Sequence, residues 1–304
     1  MTNPAQQNPA SVTPDAKAVV PPSPGETITS VLTGNTYVMG EKIGEGSFGE
    51  VYACKDVWMN DLAAKVFKPI GTYEKVRATA EAEFQKLVTL RNPFITYIFD
   101  AFEYRDTFYI ITERCTGPIS DIFKIEGFNG QLWLMAIARC LLQALHYLHI
   151  NNVIHQDIHA GNVLATFVKD EMVPEQANAI QFKLGDLGVA KLQGEVNASN
   201  TRAQWMLPPE VLDPTQFGPI DRRLDIYHAG LLFLQIAHSK ELQFTEAEIL
   251  AGKPRELALS LPSPYSFALE KALRRHVEFR TANAMELWRD LHTPPKQLTT
   301  SKVS

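Results

Sequence analysis

The sequence predicts an α+β fold with two lobes, a smaller lobe of mainly antiparallel strands and a larger, mainly helical lobe. In residues 37–67, apolar and polar residues alternate in three runs separated by turn residues, as in strands with one buried face. Helix formers dominate residues 73–90, and residues 132–149 carry apolar side chains at helical spacing. A chain of 304 residues, 45% of them hydrophobic, can bury a sizeable core.

The two ends of the chain differ in composition from the rest. Residues 1–34 are rich in Pro, Ser, Thr, Ala and Gln, and residues 293–304 form a shorter stretch of the same kind. Such segments bury too little apolar surface to offset the entropy lost on ordering, so we expect a disordered leader and a disordered tail. Between them we expect a small lobe over residues 35–115 and a large lobe over residues 116–292.

Composition bears on partners and compartment. The formal net charge of −5 does not match the basic surface that nucleic-acid binding requires. Cys54, Cys115 and Cys140 show neither metal-ligand spacing nor a disulfide framework, which favours a reducing compartment. No apolar run is long enough to span a bilayer, and no secretory signal is recognisable. We therefore expect a cytoplasmic protein without nucleic-acid or membrane partners, with signal-independent secretion left open.

A glycine-rich turn separates the first two predicted strands. Its residues are Gly44, Glu45, Gly46, Ser47, Phe48, Gly49, Glu50 and Val51. Glycines let backbone amides approach phosphate oxygens without obstruction by a side chain. Because strands flank the turn on both sides, the strand–turn–helix unit that binds dinucleotides does not match. The turn predicts a loop that holds the phosphates of a nucleotide.

Lys65 lies inside the apolar run of residues 63–67. A buried ammonium group is costly unless it is paired, so Lys65 should meet a carboxylate and a phosphate. Glu83, at the edge of the apolar face of the following helix, is the predicted partner, and Glu81 is the alternative. For either glutamate, a solvent-exposed helix carboxylate is the competing interpretation.

The segment around residues 153–164 carries the main chemical prediction. Asp157 can accept a hydroxyl proton, and Asn162, at a spacing of five residues, can hold a metal ion. Asp and Asn are also common in ordinary turns, because their side chains bond neighbouring backbone amides. The rest of the chain must therefore decide the interpretation.

The order of glycine-rich turn, strand lysine, helix glutamate and His-x-Asp loop resembles the eukaryotic-type (Hanks-type) protein kinases over roughly residues 37–292. Further motifs extend the resemblance: residues 182–188, with Leu187 where the family has phenylalanine, Pro208-Pro209-Glu210, residues 225–230, and Arg280. The resemblance implies a bilobal kinase-like fold, ATP and Mg²⁺ as cofactors, and a protein substrate, with autophosphorylation as one outcome.

The resemblance also implies residue roles. Catalysis falls to Asp157, Lys65 and Asn162, and Mg²⁺ coordination to Asn162 and Asp186. The implied nucleotide contacts are Gly44, Glu45, Gly46, Ser47, Phe48, Gly49, Val51, Ala63, Lys65, Glu83, Thr112, Glu113, Cys115, Leu164 and Asp186. Among these, Thr112 is the gatekeeper, and Glu113 and Cys115 supply backbone contacts to adenine. His155 is implied to be structural, and Glu210 to pair with Arg280 in a buried ion pair.

Departures from the family pattern carry their own expectations. Gln156 replaces the arginine that precedes the catalytic aspartate, which makes the chain a non-RD type and predicts activity without phosphorylation of the activation loop at Ser199 or Thr201. His159 replaces a lysine that neutralises the γ-phosphate, which predicts modest turnover. The spacing from Trp205 to Glu210 favours Ser/Thr over Tyr specificity. Residues 168–179 are expected to form a hydrophilic surface insertion.

Two other functions remain open at this point. Residues 155–162 also resemble the loop of aminoglycoside and choline kinases, which would make the substrate a small molecule. The other alternative is a non-catalytic pseudokinase scaffold. Retention of Lys65, Asp157 and Asp186 argues against that scaffold, and the motif around Glu210 argues against the small-molecule kinases.

Overall fold

A computed structural model describes residues 20–46, 49–68, 74, 77–78, 81, 90–168, 179–187, 190–196 and 206–293. They fall into two compact units, one within residues 1–81 and 100–111 and the other within residues 82–99 and 112–304. The first is dominated by an antiparallel sheet and the second by helices, so the predicted α+β class is confirmed. The two units are described separately below.

The sheet contains six strands in the order β1-β2-β3-β4-β6-β5. Their bounds are β1 Thr27–Thr29, β2 Thr36–Glu45, β3 Gly49–Asp56, β4 Asp61–Phe67, β5 Ile98–Tyr104 and β6 Thr107–Glu113. Strands β2, β3 and β4 are the three predicted runs, and they pair antiparallel as predicted. Stacked rings of Tyr37, Phe102 and Tyr109 fill part of the core, with centroids 5.9 and 5.6 Å apart.

Part of the predicted disordered leader belongs to this sheet. Strand β1 pairs antiparallel with β2, and Ile28 is fully buried. Beyond β1, Thr33 Oγ1 and Tyr37 Oη donate hydrogen bonds of 2.6 and 3.0 Å to the buried carboxylate of Asp100. The prediction that the leader is disordered throughout residues 1–34 is therefore wrong for this part. Burial of the Ile28 side chain and the hydrogen bonds to Asp100 hold it in the sheet. Residues 1–19 lie outside the described residues.

The predicted helix at residues 73–90 is described only in part. Residues 74, 77, 78 and 81 are helical, and the remaining positions of that prediction up to residue 89 lie outside the described residues. Glu83 is among those positions, so its predicted pairing with Lys65 stays a prediction. Glu81, the alternative partner, is exposed and accepts a hydrogen bond of 2.7 Å from Arg77 one helical turn earlier.

The larger unit is mainly helical. Its helices are α1 Gly130–Ile150, α2 Pro209–Leu212, α3 Pro214–Phe217, α4 Arg223–Ala237, α5 Glu246–Ala251, α6 Lys253–Ala258, α7 Tyr265–Ala272 and α8 Ala284–His292, with 3₁₀ turns at Ile119–Lys124, Gln193–Glu195 and Val277–Phe279. The Asn129 side chain caps α1 by accepting from Gln131 N. The apolar face predicted for α1 is buried, and α4 is buried along almost its whole length.

Short strands carry the loops of the larger unit. They are β7 Gly117–Pro118, β8 Val153–Ile154, β9 Val163–Val168, β10 Ala179–Leu184 and β11 Lys191–Leu192, with sheet orders β10-β9-β7 and β11-β8. Val168 and Ala179 are Cα partners in the β9–β10 hairpin. The predicted insertion therefore spans the end of that hairpin, and residues 169–178 lie outside the described residues. Within the described part of the chain, no helix combines the length and hydropathy needed to cross a membrane.

Candidate active site

The loop between β8 and β9 is anchored by one buried carboxylate. Asp225, in the first turn of α4, accepts hydrogen bonds from the backbone amides of His155 and Gln156 at 2.9 and 2.8 Å. His149 Nε2, at the end of α1, lies 2.8 Å from the same carboxylate. Burial by itself would raise the pKa of Asp225, but the bonds from His149 and the backbone outweigh it and hold this pKa below its usual range. The motif at residues 225–230 thus braces the loop.

His155 links this loop to the segment around Asp186. Its Nδ1 accepts from the Asp157 amide at 3.3 Å, so its Nε2 carries the proton and donates to Gly185 O at 3.1 Å. Both ring nitrogens are therefore used for structure, and the ring is completely buried. This agrees with the structural role expected for His155.

Asp157 and Asn162 meet across the loop. Asn162 Nδ2 donates to the backbone oxygen of Asp157 at 2.9 Å, and Asn162 Oδ1 has no hydrogen-bond donor among the described residues. Gly185 N donates to Asn162 O at 2.8 Å, which holds the asparagine beside the residue before Asp186. Asp157 Oδ1 is buried and has no hydrogen-bond partner in the described part of the chain. The loop therefore presents one carboxylate oxygen and one amide oxygen, the acceptors that a hydroxyl proton and Mg²⁺ require.

Two residues of this region adopt left-handed backbone conformations. Gln156 has φ of 73° and Asp186 has φ of 53°. Non-glycine residues in this conformation carry strain and concentrate at functional sites. Gln156 is completely buried, Asp186 is half-buried, and Leu187 fills a fully buried position where the family has phenylalanine. An apolar side chain at residue 187 therefore suffices to pack this segment.

His159 lies beside Asp157. Its Nδ1 accepts from Gly161 N at 3.0 Å, and its Nε2 lies 3.5 Å from Asp157 Oδ2. Because Nδ1 accepts a hydrogen bond, the ring proton of the neutral form sits on Nε2 and faces Asp157. His159 therefore faces the carboxylate group whose other oxygen, Oδ1, is left without a partner among the described residues.

The Glu210–Arg280 pair implied by the sequence is present and fully buried. Arg280 donates to both oxygens of Glu210 at 2.6 and 2.7 Å. The guanidinium also lies 4.8 Å from the centroid of the Tyr227 ring. This pair fixes the end of the activation segment to the region after α7. Ser199, Thr201 and Trp205, which belong to the same segment, lie outside the described residues.

Glu113, one of the implied adenine contacts, forms an ion pair that the sequence analysis missed. Glu113 pairs with Lys183 of β10 at 2.7 Å, its Oε1 accepts from Tyr97 N at 2.7 Å, and its own amide donates to Tyr97 O at 2.9 Å. Burial raises the pKa of the Cys115 thiol to about 11, with the Glu113 charge adding to the effect. Thr112 is half-buried at the end of β6. Nothing in the sequence signals Lys183, because the β9–β10 pairing brings it to Glu113.

Two buried histidines were also missed. His149 is the third donor to Asp225, and His228 Nε2 lies 3.2 Å from Met206 O. Burial lowers the pKa of His228, which keeps the ring neutral and makes Nε2–H the donor to that carbonyl. Both residues lie in apolar helices, where a histidine gives no sign of its partner. Only the packing of α1, α4 and the activation segment identifies them.

In the smaller unit, Lys42 organises the glycine-rich hairpin of β2 and β3. Its ammonium lies 2.6 Å from Glu45 and 2.7 Å from Glu50, and Lys68 also pairs with Glu45. The bond from Lys42, followed by that from Lys68, lowers the pKa of Glu45 to about 2. Lys42 and Glu45 are exposed, and Glu50 and Lys68 are half-buried. Ser47 and Phe48 at the tip of the hairpin lie outside the described residues.

The glycines of this hairpin differ in their surroundings. A Cβ atom on Gly49 would lie 2.5 Å from Val66 O, whereas a Cβ atom on Gly46 would meet no atom of a described residue within 4 Å. Gly49 is therefore required by the close approach of β3 and β4, whereas no described residue crowds Gly46. Lys65 is half-buried on β4 as the cross-strand partner of Val51, with its ammonium 5.1 Å from the Phe67 ring centroid.

Comparison with known proteins identifies the class. The model of the protein kinase domain matches residues 37–276, and the chain belongs to this family. The resemblance to protein kinases stated above is thereby confirmed. The catalytic and binding roles that the resemblance gives to individual residues stay predictions.

Individual relatives are serine/threonine-protein kinases. The chain is 29% identical to serine/threonine-protein kinase 10 of Danio rerio over 273 residues, covering 82% of this chain and 26% of that protein. It is 30% identical to the Mus musculus protein of the same name over 267 residues, with the same coverage. It is 31% identical to serine/threonine-protein kinase TAO2 of Xenopus laevis over 203 residues, covering 66% of this chain and 18% of that protein. The chain thus spans about a quarter or less of these relatives.

Proposed function

We propose that this chain transfers the γ-phosphoryl group of ATP to a serine or threonine hydroxyl of a protein substrate. The observation that carries the proposal is the loop in which Asp157 Oδ1 is buried without a partner among the described residues while Asn162 Nδ2 is fixed to the Asp157 backbone. The serine/threonine choice is supported by the names of the relatives and by the spacing from Trp205 to Glu210. That the substrate is a protein is likewise part of this proposal.

Each of the assigned site residues has a defined role in the proposed reaction. Asp157 orients the attacking hydroxyl and accepts its proton, and Asn162 Oδ1 and the Asp186 carboxylate are the oxygen ligands offered to Mg²⁺. Lys65 and the amides of residues 44–49 hold phosphates, and Val51, Ala63 and Leu164 contact adenine beside Thr112 and Glu113. Bound ATP and Mg²⁺ supply the transferable group and the positive charge that stabilises its transfer.

Activity without activation-loop phosphorylation is part of the proposal. Kinases that need this phosphorylation use an arginine before the catalytic aspartate to bind the phosphate, and glutamine cannot make that charge-assisted bond. Gln156 is neutral and completely buried. We expect a Ser199→Ala/Thr201→Ala variant to keep its turnover. Loss of turnover that glutamate at both positions restores would contradict this expectation.

The replacement of lysine by His159 predicts slow turnover. A lysine there would place a full positive charge near the transferred group, so we expect His159→Lys to raise turnover roughly 5–10-fold, equivalent to about 1–1.4 kcal/mol of transition-state stabilisation. The measurement is the initial rate at saturating ATP, with His292→Lys at an exposed position of α8 as the control. A His159→Lys variant no faster than the parent would refute the expectation.

The deciding experiment is transfer of radiolabelled γ-phosphate in the presence of Mg²⁺. The acceptors tested are the purified chain itself, a generic protein with Ser and Thr residues, and a tyrosine polymer. The Asp157→Ala variant and the exposed control Asp121→Ala are assayed in parallel with the parent. Label on protein that is lost only in Asp157→Ala supports the proposal, and acid hydrolysis distinguishes phosphoserine and phosphothreonine from phosphotyrosine. Label on the chain itself would demonstrate autophosphorylation.

Two outcomes would replace the proposed function. Transfer to an aminoglycoside or choline, without transfer to protein, would make the chain a small-molecule phosphotransferase. ATP binding in a thermal-shift assay without transfer to any acceptor would make it a pseudokinase scaffold. A cytoplasmic location without nucleic-acid or membrane partners completes the proposal and is supported by composition alone.

A further inference from the structure

The larger unit has a surface cleft that the proposed phosphoryl transfer does not use. It lies between α1 and α8 and encloses about 480 Å³, which is within the range of sites that hold small ligands or a few side chains. Arg139, His146, Tyr147 and Ile150 line it from α1, and Met285 and Trp288 line it from α8. Among the residues that the structure describes, none to which a catalytic or nucleotide role is assigned above lines this cleft.

The shape of the cleft suits an extended segment. Arg139, His146 and Ile150 follow one another along a single face of α1, and the span from residue 139 to residue 150 is roughly 16 Å at 1.5 Å per residue. At about 3.3 Å per residue, an extended peptide of roughly five residues covers that length. The cleft therefore matches a short linear segment.

One end of the cleft is apolar and open to solvent. Ile150 is 62% exposed and Met285 is 41% exposed, although both are large apolar side chains. Together with the ring of Trp288 they form a place where an aliphatic or aromatic side chain would be removed from water. Aromatic residues and methionine are typical of surfaces that bind other chains.

The charge of the cleft is opposite to that of the chain. The formal net charge of the chain is −5, yet no aspartate or glutamate is found among the described residues that line the cleft. Arg139 is exposed, and its guanidinium forms no ion pair with any residue that the structure describes. His146 adds a second nitrogen group that hydrogen-bonds carboxylates. A ligand that complements this lining carries carboxylates beside apolar side chains.

We propose that the cleft between α1 and α8 is a docking site for a short acidic and apolar peptide segment of another protein. The segment lies extended along α1, with an apolar side chain against Ile150, Met285 and Trp288 and a carboxylate on Arg139. Charge complementarity decides between an acidic and a basic segment. The site would recruit a substrate or a regulator without contributing to the chemistry.

A labelled model peptide tests the proposal directly. The probe is fluorescein-Gly-Asp-Leu-Glu-Phe-Leu-Asp, and its partner has lysine at each acidic position. Fluorescence anisotropy of the full chain should show saturable binding of the acidic peptide with Kd on the order of 10–100 μM, and at least tenfold weaker binding of the lysine peptide.

Two pairs of variants separate the cleft from the general surface. Arg139→Glu should raise the Kd of the acidic peptide tenfold or more. Arg222→Glu, at an exposed arginine that does not line this cleft, should leave that Kd unchanged. Ile150→Asp should also weaken binding, while Leu132→Asp, at a 77% exposed leucine on the same helix, should not. Circular dichroism melting confirms that each variant is folded.

Several outcomes would overturn the proposal. These are no saturable binding of the acidic peptide, equal binding of the lysine peptide, or equal affinity in Arg139→Glu and Arg222→Glu. Phosphoryl transfer to a generic protein should be unchanged in Arg139→Glu, because this residue lies outside the assigned catalytic groups. Failure of docking and failure of the proposed kinase activity are therefore distinguishable.

Discussion

The loop that carries Asp157 and the glycine-rich hairpin are both organised by charged side chains, but by different physical means. Asp225 holds the loop from a fully buried position, through two backbone amides and His149. Lys42 holds the hairpin from the surface, between the exposed Glu45 and the half-buried Glu50. One region has a single anchor shielded from water, and the other has a network that salt and water screen.

The difference teaches how rigidity is distributed. A buried charge is retained only with a full set of partners, so losing one partner leaves an uncompensated group and destabilises the fold. An exposed ion pair gains little over solvation, so its loss changes little. Groups that must hold one geometry during phosphoryl transfer are therefore expected on buried anchors, and a loop that admits a nucleotide is expected on exposed ones.

The largest effect should come from the buried Glu210–Arg280 pair. We expect Arg280→Leu to reduce the free energy of unfolding by about 3–5 kcal/mol, because Glu210 remains buried without its partner. Urea denaturation provides the measurement, and Arg222→Leu at an exposed position is the control. The double variant Glu210→Leu/Arg280→Leu should lose less than the single variant. Equal losses in Arg280→Leu and Arg222→Leu would mean that burial does not set the strength of this pair.

The anchor of the loop comes next. Asp225→Asn loses the charge that two backbone amides and His149 share, so we expect a loss of roughly 2–4 kcal/mol in stability and a large loss of turnover. Urea denaturation and γ-phosphate transfer provide the two measurements, with Asp121→Asn as the exposed control. A variant that is destabilised but turns over normally would separate the anchor from catalysis.

The pH dependence of stability in the same variant tests the direction of the pKa shift of Asp225. Since folding lowers the pKa of Asp225, its stabilising contribution is fully present above the ordinary aspartate value of ~3.9 and is lost as pH falls through the lower pKa of the folded state. The stability difference between the parent and Asp225→Asn should therefore stay constant from neutral pH to about 4 and shrink below it. If the stability difference between the parent and Asp225→Asn grew on acidification, the pKa of Asp225 would not be lowered by folding.

The two glycines of the hairpin provide a matched pair. Gly49→Ala should cost about 1–3 kcal/mol in stability, because its Cβ would meet Val66 O at 2.5 Å. The new Cβ of Gly46→Ala would meet no atom of a described residue within 4 Å, so the stability of this variant should be unchanged while its KM for ATP rises. Thermal unfolding and steady-state kinetics measure the two quantities. Equal melting temperatures for both variants would refute the distinction.

The smallest effect should come from Lys42. Because Lys42 and Glu45 are exposed and Glu50 is only half-buried, water screens both ion pairs, and we expect Lys42→Met to leave the thermal midpoint nearly unchanged. The parent and the variant should also respond alike to roughly 1 M salt, which reduces the screening length to about 3 Å. A marked loss of stability in Lys42→Met would show that this network is more than a screened surface feature.

Local patterns were sufficient for much of the fold, and the family resemblance was sufficient for one buried ion pair. The alternation in residues 37–67 predicted strands β2 to β4, and the 3.6-residue period predicted the buried face of α1. The resemblance to protein kinases implied the Glu210–Arg280 pair, which is present. The leader was predicted incorrectly, because composition averages over a segment and cannot detect that Ile28 alone is buried in the sheet.

The sequence by itself determined which chemical groups this kinase carries and in what order, because residue type and short-range spacing are written in the chain. Only the tertiary structure decided which groups meet over long separations: Lys183 with Glu113, His149 with Asp225, and Gly49 with the Val66 carbonyl. It also left Asp157 Oδ1 without a partner among the described residues. Such pairings follow from strand register and helix packing, which depend on the whole set of buried contacts rather than on any local pattern.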